Sequence, residues 1–364
     1  MRPPPLLEPG PDLTPDQVRR YARQLRLPEI GREGQRRLLA ARVLVVGAGG
    51  LGSPVLQYLA AAGVGTLGVV DDDVVEESNL QRQVVHTTAD LGSAKAGSAA
   101  RAVAALNPSV RVVPHPFRLD GTSIGELLAA YDLVVDGSDN FATRFLLDDR
   151  CRAVGLPLVW GAVLAGAGQV SLAWAPHGPT YRDVVPEPPP PGSVPACSEA
   201  GVLGPTVATI GSLMAAEVLK VVTGSGELLL GRVLVLDSFA ATVRTLTVGV
   251  DPRAAAGRGP AVTAVRPATP EIDVADLGGN PTLVDVRDEI EVEVDGEIPG
   301  AVRLPPGWWE GDRGGLPPGR LVLVCSGGAR SAALWAELDP ADRDRTASLR
   351  GGLRAWRAAG GRAG

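Results

Sequence analysis

Three cysteines in 364 residues are too few for a disulfide framework, and a reducing, cytoplasmic setting is expected. Histidine is equally scarce, and no C-x-x-C or H-x-x-x-H pair occurs, so no structural zinc is expected. No basic run stands out and the net charge is −6, which makes nucleic acid and anionic membranes poor partners. No apolar stretch reads as long enough to span a bilayer, and the start, MRPPPLLEPGPDL, has no hydrophobic signal core. Aromatic residues are only 4%, while glycine (46) and proline (32) are high, the bias of a GC-rich genome. What is present is ample core material, 45% hydrophobic, in a length that suits two or three domains.

The chain is organised around Val43–Arg82. Val43–Val46 is a short β-branched run and reads as a buried strand. It enters Gly47, Gly49 and Gly52, a G-x-G-x-x-G spacing that permits a tight turn and a close backbone approach to phosphate. Leu51–Ala62 then reads as a helix whose first amides face that anion. A second strand, Thr66–Val70, ends in Asp71, an acceptor for ribose hydroxyls. This is a nucleotide site on a Rossmann-like unit, and the glycines alone suit NAD, FAD or ATP.

The residues after Asp71 narrow the choice. Ser78-Asn79-Leu80-Gln81-Arg82-Gln83 follows, then Lys95 at the start of a helix, then Asp136-Gly-Ser-Asp139-Asn140 after strand Leu133–Asp136. A lysine at a helix N-terminus opposes the macrodipole slightly, and a bound phosphate would reverse that. An arginine, a lysine and a second acidic strand end suit a triphosphate with its metal ion, whose charges must be neutralised in one place. GAGGLG, DxDxVxxSNLQRQ, Lys95 and DGSDN, preceded by Arg20-Tyr21-Ala22-Arg23-Gln24, resemble the MoeB/ThiF family, bacterial relatives of ubiquitin-activating enzymes. The resemblance covers about Tyr21 to Val248.

That resemblance implies adenylation of the C-terminal glycine of a ubiquitin-like sulfur-carrier protein, with ATP and Mg²⁺, in a homodimer. Gly47, Gly49, Gly50, Gly52, Asp71, Ser78, Asn79, Leu80, Gln81, Arg82, Lys95 and Asn140 would bind the nucleotide, and Asp139 the Mg²⁺. In the family the arginine at the place of Arg23 reaches the ATP of the other subunit. Cys197 follows a proline-rich loop, Pro186–Pro195, and matches a crossover-loop cysteine that can attack, or be attacked by, the activated carrier. The family often carries two zinc-binding C-x-x-C pairs; here the first pair's places hold Thr180 and Asp183, and the zinc site reads as lost.

Elsewhere, Met1–Leu13 is proline-rich and expected to be disordered, ahead of a capping box at Thr14–Gln17. Cys151 reads as a packing residue in helix Phe141–Val154. Pro205–Thr223 is too apolar for a surface helix. A first domain spans 14–248, a linker 249–268 and a second α/β module 269–364. In that module Asp273–Leu277 reads as a helix and Leu283–Arg287 and Leu321–Val324 as strands. LVDVR, IPGAVRLP, the Cys325–Ser331 loop and a closing Gly-Gly-Leu-Arg-Ala-Trp resemble a rhodanese domain. The loop Cys325, Ser326, Gly327, Gly328, Ala329, Arg330 offers backbone amides, a helix N-terminus and a cation, which together should stabilise a thiolate able to hold sulfur as a persulfide.

The expected protein is therefore α/β: a Rossmann-like ATP-binding domain with a mixed sheet, then a smaller rhodanese-like domain. Arg82, Lys95 and Asp139 would serve adenylation, and Cys325 and Cys197 sulfur transfer, with thiosulfate or a cysteine desulfurase as donor. Two other readings stay open here: an NAD-dependent oxidoreductase fused to a rhodanese, and a scaffold that docks the carrier without activating it.

Overall fold

Sequences that alternate β-branched runs with helical stretches fold as parallel sheets with crossover helices. The computed structural model follows this rule and describes residues 4–175, 177–189, 201–250, 269–304 and 315–361. The chain divides into two units, residues 1–188 with 195–258, and residues 189–194 with 259–364.

In the first unit, α1 (Pro15–Arg20) and α2 (Gly31–Ala40) precede β1 (Arg42–Val46), α3 (Gly52–Ala62) and β2 (Thr66–Val70). Next come α4 (Lys95–Leu106), β3 (Arg111–His115), α5 (Ile124–Ala129), β4 (Leu133–Asp136) and α6 (Phe141–Val154). The unit ends with β5 (Leu158–Leu164), β6 (Ala167–Ala173), α7 (Tyr181–Val184), α8 (Gly204–Thr223), β7 (Arg232–Asp237) and β8 (Thr242–Thr247). The sheet order is β3-β2-β1-β4-β5-β6-β7-β8, parallel through β5 and antiparallel beyond it. Strand order reverses at β1, which lies between β2 and β4. Ligands bind at the carboxyl edge of such a switch point.

Two expectations for this unit's backbone need correction. Helix α8 is long and apolar enough to cross a membrane by length and composition, contrary to the sequence reading. It is a core helix instead: Ile210, Met214 and Val218 are fully buried in the cluster that includes Val159, Val170 and Leu172 of β5 and β6. The described part of the N-terminal segment is not disordered. Leu6 and Leu7 pack on the core, the Leu6 amide donates to the Val221 carbonyl, and Arg37 and Arg36 donate to the carbonyls of Leu7 and Gly10. Proline limits the entropy lost in ordering such a segment, so two leucines suffice to anchor it.

The second unit contains β9 (Glu271–Ile272), β10 (Thr282–Asp285), α9 (Glu289–Asp295), β11 (Val302–Arg303), β12 (Leu321–Val324), α10 (Ala329–Glu337), α11 (Pro340–Arg343), β13 (Thr346–Leu349) and α12 (Gly352–Ala358). Its five strands run in the order β11-β10-β12-β13-β9, with every pair parallel. Strand β12 is central and fully buried, as its unbroken Leu-Val-Leu-Val run requires. The helix expected over Asp273–Leu277 is a single 3₁₀ turn, Val274–Asp276, with no buried residue to extend it. The expected linker lies, but for Gly249 and Val250, outside the described residues.

Candidate active sites

The glycine turn is shaped by contacts that only glycine permits. Gly47 has φ +91° and its amide donates to the Val70 carbonyl at 2.8 Å. A Cβ on Gly52 would stand 1.9 Å from the Gly47 carbonyl oxygen. Helix α3 starts at Gly52 with no side-chain cap; the Ser53 and Val55 amides donate to the Gly49 and Leu51 carbonyls and Pro54 has no N–H, so the Gly52 amide and the turn before it are what can meet an anion at the β1/β4 crevice. Gly50 lies under the stem of Arg82, and Gly49 beside the amide of Gln83.

Asp71 does more than the sequence reading assigns it. One carboxylate oxygen accepts from the Ala48 amide at 2.8 Å and the other from the Asp73 amide at 2.9 Å, tying the end of β2 to the glycine turn. Burial raises its pKa against those two amides and the charge of Lys95, which lower it. Lys95, buried in the first turn of α4, donates from Nζ to Asp73 at 2.9 Å. Asp73 was not singled out from sequence, although the spacing of the DxD pair was its signal.

The SNLQR segment forms a turn that presents Arg82. Asn79 is buried, its side-chain oxygen accepting from the Glu76 amide and its nitrogen reaching the Ser78 hydroxyl, so it shapes the turn from inside. Arg82 donates back to the Ser78 carbonyl at 3.0 Å. Leu80 is half-buried and Gln81 exposed. Gln83 is buried, and its side-chain oxygen has no hydrogen-bond partner.

From β4, buried Asp136 accepts from the Ser138 amide and hydroxyl, and Asp139 stands exposed just beyond. The N-cap of α6 is Asn140, which accepts from the Thr143 amide at 2.9 Å. The Asn140 side-chain oxygen is thus committed to the helix, and the Asp139 carboxylate is spared that task. One exposed carboxylate beside phosphate-facing amides fits Mg²⁺, which is held by one or two carboxylates together with substrate phosphates.

Arg23 is not brought to this site. Tyr21 packs against Gly63 and Gln24 donates to the Ala62 carbonyl, so the segment sits at the far end of α3 from Gly52. An 11-residue helix, about 16 Å long, separates the two. Cys197 lies outside the described residues. Cys151 is buried, and burial drives its thiol pKa far up, in keeping with a packing role. Thr180 and Asp183 form a capping box that starts α7, the Asp183 carboxylate accepting from the Thr180 amide at 2.7 Å.

In the second unit, β12 delivers buried Cys325 into a turn closed by Gly328 at φ +91°. The Gly328 amide donates to the Cys325 sulfur at 3.0 Å, and the Ser331 hydroxyl lies 3.5 Å away. Gly352 backs this loop so closely that a Cβ there would meet the Cys325 carbonyl oxygen at 2.1 Å. Ser326 and Gly327 line the turn, and α10 begins at Ala329.

Arg330 is not aimed at the sulfur as expected. It pairs in two-pronged fashion with Glu291 at 2.6 and 3.1 Å, and Ser326 donates to the same carboxylate. Burial raises the Glu291 pKa, but the bonds from Arg330, the Asp288 amide and Ser326 outweigh it and hold the carboxyl below its usual value. Glu291 belongs to α9, a helix absent from the sequence reading because its apolar positions, Ile290, Val292 and Val294, alternate like a strand's.

A family model described as ThiF family matches residues 21–255, and one described as Rhodanese-like domain matches residues 273–359. The chain belongs to the ThiF family. It carries a rhodanese-like domain after the ThiF domain, and it is an enzyme, an adenylyltransferase and sulfurtransferase. It is 44% identical to the probable adenylyltransferase/sulfurtransferase MoeZ of Mycobacterium tuberculosis, covering 97% of this chain and 96% of that one. The ThiF-family portion is 54% identical to the sulfur carrier protein adenylyltransferase of Thermus thermophilus, over 66% of this chain and 90% of the relative. The fold is shared with the crystal structure of E. coli MccB with MccA-N7isoASN, at TM-score 0.56 and 20% identity over 65% of this chain and 73% of that one. Membership in this family implies ATP use and sets aside the nicotinamide reading.

Proposed function

We propose that this ThiF-family chain adenylates the C-terminal glycine of a ubiquitin-like sulfur-carrier protein and then converts it to a thiocarboxylate. The observation that carries the reading is the joining of the Gly47–Gly52 turn, Asp71, Asp73 and Lys95 into one bonded site, with Arg82 over Gly50 and Asp139 at the neighbouring strand end. A carrier carboxylate oxygen attacks the α-phosphorus of ATP, the bond to the β-phosphate breaks, and pyrophosphate leaves. Amides of the glycine turn, Arg82 and Lys95 neutralise the phosphates, and Asp71 accepts from the ribose. Asp139 would hold Mg²⁺, which supplies charge neutralisation at the phosphates.

The resulting acyl-adenylate is attacked by a persulfide on Cys325, and AMP leaves. A second thiolate then splits the acyl disulfide, releasing the thiocarboxylate and leaving a disulfide on Cys325. Cys197 is the candidate for that thiolate. The persulfide comes from thiosulfate or a cysteine desulfurase. The distance between Arg23 and its own glycine turn supports a homodimer in which Arg23 serves the other subunit. The groove of Ala61, Ala62, Ser212, Ala215 and Ala216 beside exposed Tyr58 offers small side chains for such a contact.

The test is carrier-dependent ATP–pyrophosphate exchange, followed by mass measurement of the carrier after addition of thiosulfate. Exchange and thiocarboxylate are expected. Exchange without thiocarboxylate would confine the activity to adenylation, and absence of exchange with every carrier of the same cell would overturn the reading.

A further inference from the structure

His86 is 4% exposed and none of the roles above uses it. Its Nε2 lies 2.9 Å from the Ala48 carbonyl oxygen and its Nδ1 2.9 Å from the Ser98 hydroxyl. A carbonyl only accepts, so Nε2 carries a proton, and in the neutral imidazole Nδ1 accepts from the Ser98 hydroxyl. Ala48 belongs to the glycine turn, and its own amide donates to Asp71. Ser98 lies on α4, close to one turn beyond Lys95. Lys95 reaches back to Asp73, whose amide donates to Asp71. The bonds close a ring: Asp71, Ala48, His86, Ser98, then α4 to Lys95, Asp73 and Asp71 again.

We propose that His86 is the positioning residue of the adenylation site: through Ala48 it fixes the glycine turn, and through Ser98 it fixes the helix that carries Lys95. Helices α3 and α4 also pack on each other through the shared core of Leu51, Val55, Ala96 and Ala99, but among the described residues hydrogen bonds otherwise join the turn to α4 only through Asp71 and Asp73. The imidazole is the direct strut between them. Burial depresses its pKa, with the Lys95 and Arg101 charges adding and the Ala48 carbonyl and Asp90 opposing. The neutral imidazole is therefore the form present at neutral pH, and in it Nε2–H donates to Ala48 while Nδ1 is free to accept from Ser98. The inference rests on the adenylation reading for the identity of the reaction, but not for the coupling itself.

The experiment compares His86→Ala, His86→Gln and Ser98→Ala in the full chain, by carrier-dependent exchange and by calorimetric Mg·ATP binding. Melting temperature and thiosulfate sulfurtransferase activity report folding in the same preparations. His86→Ala is expected to lower kcat by on the order of 10- to 100-fold, since a misplacement of about 1 Å costs that much, and to weaken Mg·ATP binding. His86→Gln, whose amide nitrogen can still donate to Ala48, should recover most of both, and Ser98→Ala should fall between them. A role in packing alone would lower the melting temperature and leave kcat per folded molecule unchanged, and that result overturns the proposal. If His86→Ala fails to fold, Ser98→Ala decides, because it keeps the imidazole and its bond to Ala48 and removes its bond to α4; wild-type kcat and Mg·ATP affinity in it overturn the coupling. A wild-type chain without exchange would sink the adenylation reading alone, since Mg·ATP binding by the same variants still reads the coupling, and equal affinities would refute it.

Discussion

Replacing Gly52 with alanine tests whether the turn's geometry, rather than its glycine content, makes the nucleotide site. The added methyl would stand 1.9 Å from the Gly47 carbonyl oxygen and 2.9 Å from its carbon. That carbonyl must retreat by more than an ångström, and little lets it. The Gly47 amide is bonded to the Val70 carbonyl, and the space beside Gly47 is closed by the Gly137 carbonyl. Overpacking of this kind costs about 1–3 kcal/mol. In a unit of this size each kcal/mol moves the melting temperature by about 2–4 °C, so a fall of roughly 2–12 °C is expected. The larger effect falls on catalysis, because the first amides of α3 move with the turn; a shift of about 1 Å costs on the order of 100-fold.

Gly49→Ala is the matched control. Its methyl would meet nothing closer than the Gln83 side-chain nitrogen at 3.4 Å, the flexible end of a side chain. Stability there should change by about 0.5 kcal/mol or less. Carrier-dependent exchange and thermal melts of both variants are compared, with thiosulfate sulfurtransferase activity showing that the second unit is intact. Wild-type exchange in Gly52→Ala, or an equal fall in melting temperature from both substitutions, would refute the geometric argument.

Lys95→Ala and Asp139→Ala should each abolish exchange and leave thiosulfate:cyanide sulfurtransferase activity intact; normal exchange in either removes that residue from the site. Cys325→Ala should do the reverse, and retained sulfurtransferase activity would mean that another thiol carries the sulfur. Glu291, with its pKa held below the ordinary 4.5, contributes stability that is full above that value and lost as pH falls through the lower folded value. Acid unfolding of the second unit should therefore be less steep in Glu291→Gln, and an unchanged profile would refute the Arg330 pairing as its cause. Elemental analysis should find well under one zinc per chain, and EDTA should leave the melting temperature unchanged, because the Thr180–Asp183 turn is closed by its own capping box. Stoichiometric zinc would overturn that view.

The fold was readable wherever backbone need and residue type coincide. Val43–Val46 is β-branched because it is buried on both faces, and Gly47 and Gly52 are glycine because a positive φ and a close carbonyl leave no alternative. Lys95 was readable because a lysine against a helix dipole needs a compensating anion. What stayed hidden depends on pairings between distant residues that carry no local signature. The Asp73 carboxylate that holds Lys95 looked like one acid in a run of three, and Glu291, 39 residues before its partner Arg330, looked like one more charge in an alternating stretch. The N-terminal segment failed for a related reason: proline-rich composition reports the entropy of the free chain, whereas two leucines against the core decide its bound state. His86 is the sharpest case. Its neighbours in sequence give it no partner, and only the return of α4 beside the glycine turn places Ser98 on one side of the ring and Ala48 on the other. The nucleotide-facing residues were thus legible one by one, while the bonds that hold them at working distances belong to the tertiary structure.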